Sequence, residues 1–117
     1  MNEEKIFEKI DWTAIEKIAI PGDIGISYHQ SIEFPGFCLR QVEYSVNYKS
    51  DHWCNKGHIV HCISGESEIE FQSGEKVILV KGMSLFIFSE KKMHRLISQN
   101  GAKVIIIDGN FLEQKNI

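Results

Sequence analysis

The run Asp51-His52-Trp53-Cys54-Asn55-Lys56-Gly57-His58 places two imidazoles and a thiol in one short segment, with Gly65 behind it and Gly74, Gly82 and His94 further along the chain. Imidazole and thiolate are strong ligands of first-row transition metals, and this spacing suits two hairpin-linked segments that carry them to one ion. The stretch therefore predicts a metal-binding cavity with His52, Cys54, His58 and His94 as ligands. It does not name a reaction.

Around this segment the sequence is a succession of short apolar runs separated by Gly, Ser, Asn and Asp: residues 25–31, 36–48, 59–63, 67–72, 76–80, 84–88, 95–98 and 103–108. Many short strands at such spacing predict an all-β sandwich or barrel. Ahead of them, Ile6, Phe7, Ile10, Ile15 and Ile18 recur among charges at an approximately helical period, which predicts an arm of one or two helical turns. Asp11 could cap a second short helix, Trp12 would anchor the arm, and Pro21-Gly22 ends it. Residues 1–22 are accordingly read as an N-terminal arm and 23–117 as the β-barrel, in one domain. A chain of 117 residues that is 43% hydrophobic can build one such core but not two.

Written as spacing, the ligand segment is H-x-C-x(3)-H-x(6)-G, and the second segment is G-x(5)-V-x-G followed by His94. This resembles the paired motifs of the cupin superfamily, G-x(5)-H-x-H-x(3,4)-E-x(6)-G and G-x(5)-P-x-G-x(2)-H-x(3)-N. His52 stands at the first His of the pattern, Cys54 at the second, His58 at the Glu and Gly65 at the closing Gly. Gly74, Val80 and Gly82 stand at the G, P and G of the second motif, and His94 takes the last ligand place after a longer gap. Asp51-His52-Trp53-Cys54 is also similar to the small single-domain cupins named for a DHCW motif. The resemblance spans roughly residues 12–108 and implies a double-stranded β-helix, or jelly-roll, barrel with a metal inside it. Cys for His and His for Glu alter the charge and softness of the site, so no activity of the Glu-bearing enzymes transfers directly.

Strand alternation predicts which side chains face the interior. Between residues 37 and 48 the odd positions Gln41, Glu43, Ser45 and Asn47 are polar, whereas Cys38, Val42, Tyr44, Val46 and Tyr48 occupy the even face. Arg40 shares that face and needs a partner if buried. It is a candidate for a substrate carboxylate or for a structural ion pair with an inward acid, and Tyr44 and Tyr48 are candidate substrate-binding hydroxyls. After Gly65, Ile69 and Phe71 are expected inward and Glu68, Glu70 and Gln72 outward. His58, Val60 and Cys62 point inward together, which turns His61 away. Asp51 is a candidate to orient a ligating imidazole or to cap a turn. Arg95 is expected on the face opposite His94. Trp53 is expected outward or across a subunit contact, a hint of a homodimer.

A formal charge of −3 and the absence of a basic run argue against nucleic-acid partners. The acidic N-terminus lacks the basic start and apolar core of a signal peptide, and no window approaches the ~20 apolar residues of a membrane span. Cys38, Cys54 and Cys62 are an odd set without disulfide-framework spacing. These features predict a cytoplasmic protein with reduced thiols and no membrane partner. Imidazole and thiolate donors favour one divalent transition metal, zinc first, with iron, nickel or copper by geometry and supply. Three function classes stay open: a non-catalytic cupin binding metal and a small molecule, a metal-dependent oxygenase or isomerase acting on a small acid or thiol, and a structural zinc dimer.

Overall fold

Pro35-Gly36 makes the first tight corner of the barrel. Gly36 takes φ +89°, which together with a preceding proline is the combination a type II turn requires. The flanking Phe34 and Phe37 pair across the turn and stack with ring centroids 4.7 Å apart. The computed structural model describes residues 7–88 and 93–112. Seven strands account for most of them: β1 (Ile18–Pro21), β2 (Ile26–Phe34), β3 (Phe37–Lys49), β4 (His58–Phe71), β5 (Lys76–Val80), β6 (Ser84–Ile87) and β7 (His94–Gly109). All pairings are antiparallel, in the order β1-β2-β3-β7-β4-β5, with β6 paired to the first residues of β4. The expected all-β jelly-roll is the observed architecture.

Two expectations need correction. The N-terminal helical arm is a single 3-10 turn, Trp12–Ala14, and Asp11 caps it by accepting from the Thr13 backbone N–H and hydroxyl. Trp12 and Ile15 hold this turn to the barrel through their carbonyls, which accept from the buried Gln30 side chain at 2.6 and 2.8 Å. Ile18, read as part of the helical pattern, and Pro21, read as its end, belong to an edge strand instead, where the β-branched Ile18 and Ile20 fit the pleat. Residues 1–6, which carry Ile6 of the helical pattern, lie outside the described residues.

The second correction concerns strand length. Runs 59–63 and 67–72 form one strand, β4, and runs 95–98 and 103–108 form one strand, β7. Gly65 and Gly101 interrupt the apolar pattern without ending the strands, because they take φ +76° and +85° and remain in the ladder as irregular positions. The β4–β7 register shifts between Cys62 and Ser64 and again between Gly65 and Glu68. On one side of these bulges β4 and β7 pair alongside β6 and the first half of β3; on the other they pair alongside β5 and the end of β3. Strands that pass between two packed sheets do so at such bends.

The alternation read from the sequence holds along the inner faces. Val42, Val60, Cys62, Ile69, Leu79, Ile87, Val104 and Ile106 form the buried core, with Tyr44, Phe71 and Leu96 packed against it. Val46, expected inward, is exposed: β3 passes from Tyr44 to Val46 opposite the Gly101 bulge, and Asn47 takes a positive φ of 58°. A Cβ at Gly65 would collide with the Gly101 carbonyl oxygen and stand 2.9 Å from Ala102 Cα, whereas one at Gly36 meets nothing within 4 Å. Both positions carry similar φ strain, so the difference isolates the collision. Gly65→Ala is expected to lower the unfolding free energy by at least about 2 kcal/mol more than Gly36→Ala does. Urea melts of the two variants measure this, and equal losses would show that the bend tolerates a side chain.

Candidate metal centre

Cys54 sits outside the named strands but forms a two-bond bridge with His94: each backbone N–H donates to the other's carbonyl, at 2.7 and 2.9 Å. Residues directly opposed in an antiparallel pair project their side chains to the same side, about 5 Å apart at Cβ. The bridge therefore brings the thiol to the imidazole of His94. His58, the first residue of β4, supplies the third donor, with Nε2 3.5 Å from Cys54 Sγ and its ring edge-on to that of His94, centroids 5.3 Å apart. The donor atoms of Cys54, His58 and His94 all lie within 4.8 Å of one another.

Ligands of tetrahedral zinc, with bonds of 2.0–2.3 Å, stand roughly 3.3–3.8 Å apart. The Cys54–His58 separation already matches, and the widest spacing needs about 1 Å of contraction, which side-chain rotation supplies. Both imidazoles are buried and the thiol is half-buried, so the cluster can hold a cation partly shielded from solvent. The Lys56 backbone N–H points at Cys54 Sγ from 3.5 Å.

The electrostatics keep His58 in its ligating form. Burial, with added repulsion from Arg40, His94 and Lys56, drives its pKa down from 6.5 to about 3. Asp108 Oδ2 is 3.6 Å from Nδ1, beyond hydrogen-bond reach. Nδ1 is accordingly buried with no hydrogen-bond partner. Arg40 Nη2 donates to the same Asp108 oxygen at 3.0 Å, so the inward acid that Arg40 was expected to need is Asp108. Burial, then the neighbouring Tyr48, raises the Tyr44 phenol above its usual range, and Tyr44 remains a protonated hydroxyl. The rings of Tyr44 and Tyr48 are 4.7 Å apart. A cavity of about 720 Å³ opens onto Cys54, His58 and His94, and Arg40, Tyr44 and Tyr48 also line it.

His52 is not brought to the triad. Its side chain is 74% exposed, with Nδ1 2.8 Å from Asp51 Oδ1. The sequence argument placed His52 and Cys54 on one face, which holds only for extended backbone. Here Asp51 and His52 lie in a bend, with Ser50 Oγ donating to the His52 carbonyl, and only Cys54 is in β-bridge geometry. Asp51 thus orients His52 and none of the three clustered donors. His61 faces away from the triad, with Nδ1 2.7 Å from Ser84 Oγ. Trp53 lies half-buried under the Arg95 guanidinium, 4.3 Å from its centroid, and Arg95 Nε donates to Glu70 at 2.7 Å.

Among the cavity residues that the sequence reading did not place there, Asp108 and His29 bear titratable groups beside Arg40. Asp108 ends a strand whose even positions, Val104 and Ile106, are buried, so its inward parity was available as a signal. His29 also lines the cavity, with Nε2 2.8 Å from Ser27 Oγ. Burial, then Arg40, lowers its pKa.

No known family profile matches the chain, and no curated protein is similar enough to match. Solved structures do match. The ectoine synthase of P. lautus superposes with a TM-score of 0.72 at 18% identity, over 88% of this chain and 78% of the synthase. An RmlC-like cupin from Shewanella frigidimarina NCIMB 400 gives 0.70 at 17% identity, over 93% and 94% of the two chains. The Fe(II) form of HppE gives 0.73 at 12% identity, over 92% of this chain and 62% of that one.

Because the folded chain keeps His58 neutral, the unfolded chain takes up a proton that the native state refuses. The stabilisation is present above the unfolded value of 6.5 and is lost as pH falls toward the folded value of about 3. In metal-free protein this residue is expected to steepen the decline of stability through that window by up to about 1.4 kcal/mol per pH unit. His58→Gln removes the contribution. Denaturant midpoints that fall in parallel for the two proteins between about pH 4 and 6 would exclude a buried neutral imidazole at this position.

Proposed function

We propose that this chain, which has the cupin fold, is a metal-binding protein that holds one divalent cation on Cys54, His58 and His94 and takes a small organic molecule in the adjoining cavity. The observation that carries this reading is the meeting of three donors from three separate segments on the wall of one cavity. One thiolate with two imidazoles is a borderline-soft set, which favours zinc(II) over iron, nickel or copper. Three protein donors leave a coordination position for a ligand, and the exposed His52 offers no fourth donor for a closed structural site.

The chain's own residues suit that task. Cys54 presents a thiol beside a backbone N–H, His58 stays neutral at any physiological pH, and the Tyr44 hydroxyl stays protonated. Arg40 adds positive charge to the cavity wall. A bound cation would supply Lewis acidity at the inner end of the cavity. An enzyme acting on a small acid or thiol is the second reading. It is favoured by the enzymes and the iron(II) protein among the structures of like fold, at identities that speak to fold alone.

Purified protein analysed for metals is expected to carry one equivalent of zinc. Cys54→Ala, His58→Ala and His94→Ala should each lose at least about tenfold in metal affinity, since each removes a ligand. His52→Ala and His61→Ala should retain it. Equal metal content across the five variants, or loss confined to His52→Ala, would remove the basis for the proposal. Anomalous scattering at the zinc and iron edges identifies the element.

A further inference from the structure

Arg40 is only partly used by the fold. Its Nη2 meets one carboxylate oxygen, Asp108 Oδ2, while its Nε is buried with no hydrogen-bond partner. A guanidinium carries five donors in a rigid plane and matches a two-oxygen anion best. The surroundings favour such an anion. Ser31 stands opposite Arg40 in the β2–β3 register, His29 follows along the same face, and both line the cavity with the Tyr44 hydroxyl. Of the three acids lining it, Asp51 is tied to His52, Asp108 is shared, and Glu33 stands opposite Cys38, one inward position beyond the Ser31–Arg40 pair.

The sharing is the informative feature. The Asp108 oxygen that accepts from Arg40 at 3.0 Å also lies 3.6 Å from His58 Nδ1, itself buried and without a partner. Two donors contend for one oxygen. A cation held at His58 Nε2 fixes the ring proton on Nδ1 and strengthens that N–H as a donor, as in other carboxylate-histidine-metal arrangements. An approach of roughly 0.7 Å would then complete a hydrogen bond to Asp108 and loosen its hold on Arg40.

We propose that Arg40 is the docking point for a small carboxylate, and that the oxygen of Asp108 shared by Arg40 and His58 couples this docking to metal binding. The coupling rests on the metal reading given above. The docking does not.

The test titrates propionate and benzoate, with propionamide and benzamide as uncharged counterparts, into metal-free and zinc-loaded protein and follows backbone amide NMR shifts. Carboxylates are expected to bind and amides not, with zinc tightening benzoate about tenfold, inside the range usual for coupled sites, and benzoate tightening zinc by the same factor. Arg40→Lys, which keeps the charge but lacks the fork, should lose most benzoate binding while its zinc stoichiometry stays at one. Metal-free Asp108→Asn should bind benzoate more tightly than metal-free wild type, because the competing carboxylate is gone, and should gain less from zinc. Benzoate bound equally by Arg40→Lys, benzamide bound as well as benzoate, or silence of both carboxylates in both forms overturns the docking. Metal-free Asp108→Asn no tighter than wild type overturns the coupling. If elemental analysis finds no zinc retained, the metal reading and the coupling fail together, while benzoate binding to metal-free wild type and Arg40→Lys still decides the docking.

Discussion

The contact between Gly65 and Gly101 is the constraint on which the rest of the molecule depends. In the β4–β7 ladder His94 pairs with Phe71, at the end of β4 remote from His58. A straight strand between those two β4 positions would be roughly 40 Å long, yet the His58 and His94 rings stand 5.3 Å apart. The strand pair must therefore fold back on itself, and it does so where the two glycines take positive φ and one backbone lies against the other. A side chain at Gly65 would hold the strands apart. The barrel and the meeting of Cys54, His58 and His94 thus have a common geometric origin.

Burial sets the chemistry of the cavity. An imidazole removed from water beside an arginine and a second histidine is a poor base, so His58 stays neutral at ordinary pH. Arg40 contributes to that depression and to the lowering of His29, and it is countered by one carboxylate, Asp108.

Local patterns made part of this legible in the sequence. Alternation in β3 and β4 identified Val42, Val60, Cys62 and Ile69 as inward, and their burial follows. The same rule turned His61 outward, where it meets Ser84. It failed at His52 because the rule presumes an extended backbone, and the chain bends at Asp51-His52. It failed again at Val46, which faces the stretch of β7 whose register with β4 shifts and which precedes the positive φ of Asn47. Arg40 was seen to need an acid, but the choice of Asp108 came from the β3–β7 register, which no single-strand pattern encodes.

What the sequence determined by itself is whatever depends on neighbours along the chain: the strand-forming runs, most of their inward faces, and a supply of imidazole and thiol donors that metals prefer. The tertiary structure alone decided which donors meet. Cys54 reaches His94 through a backbone bridge across forty positions of sequence numbering, and His58 reaches both because β4 and β7 bend together at their glycines. Side-chain chemistry is written residue by residue, whereas distance between remote residues is a property of how the ladders register and close.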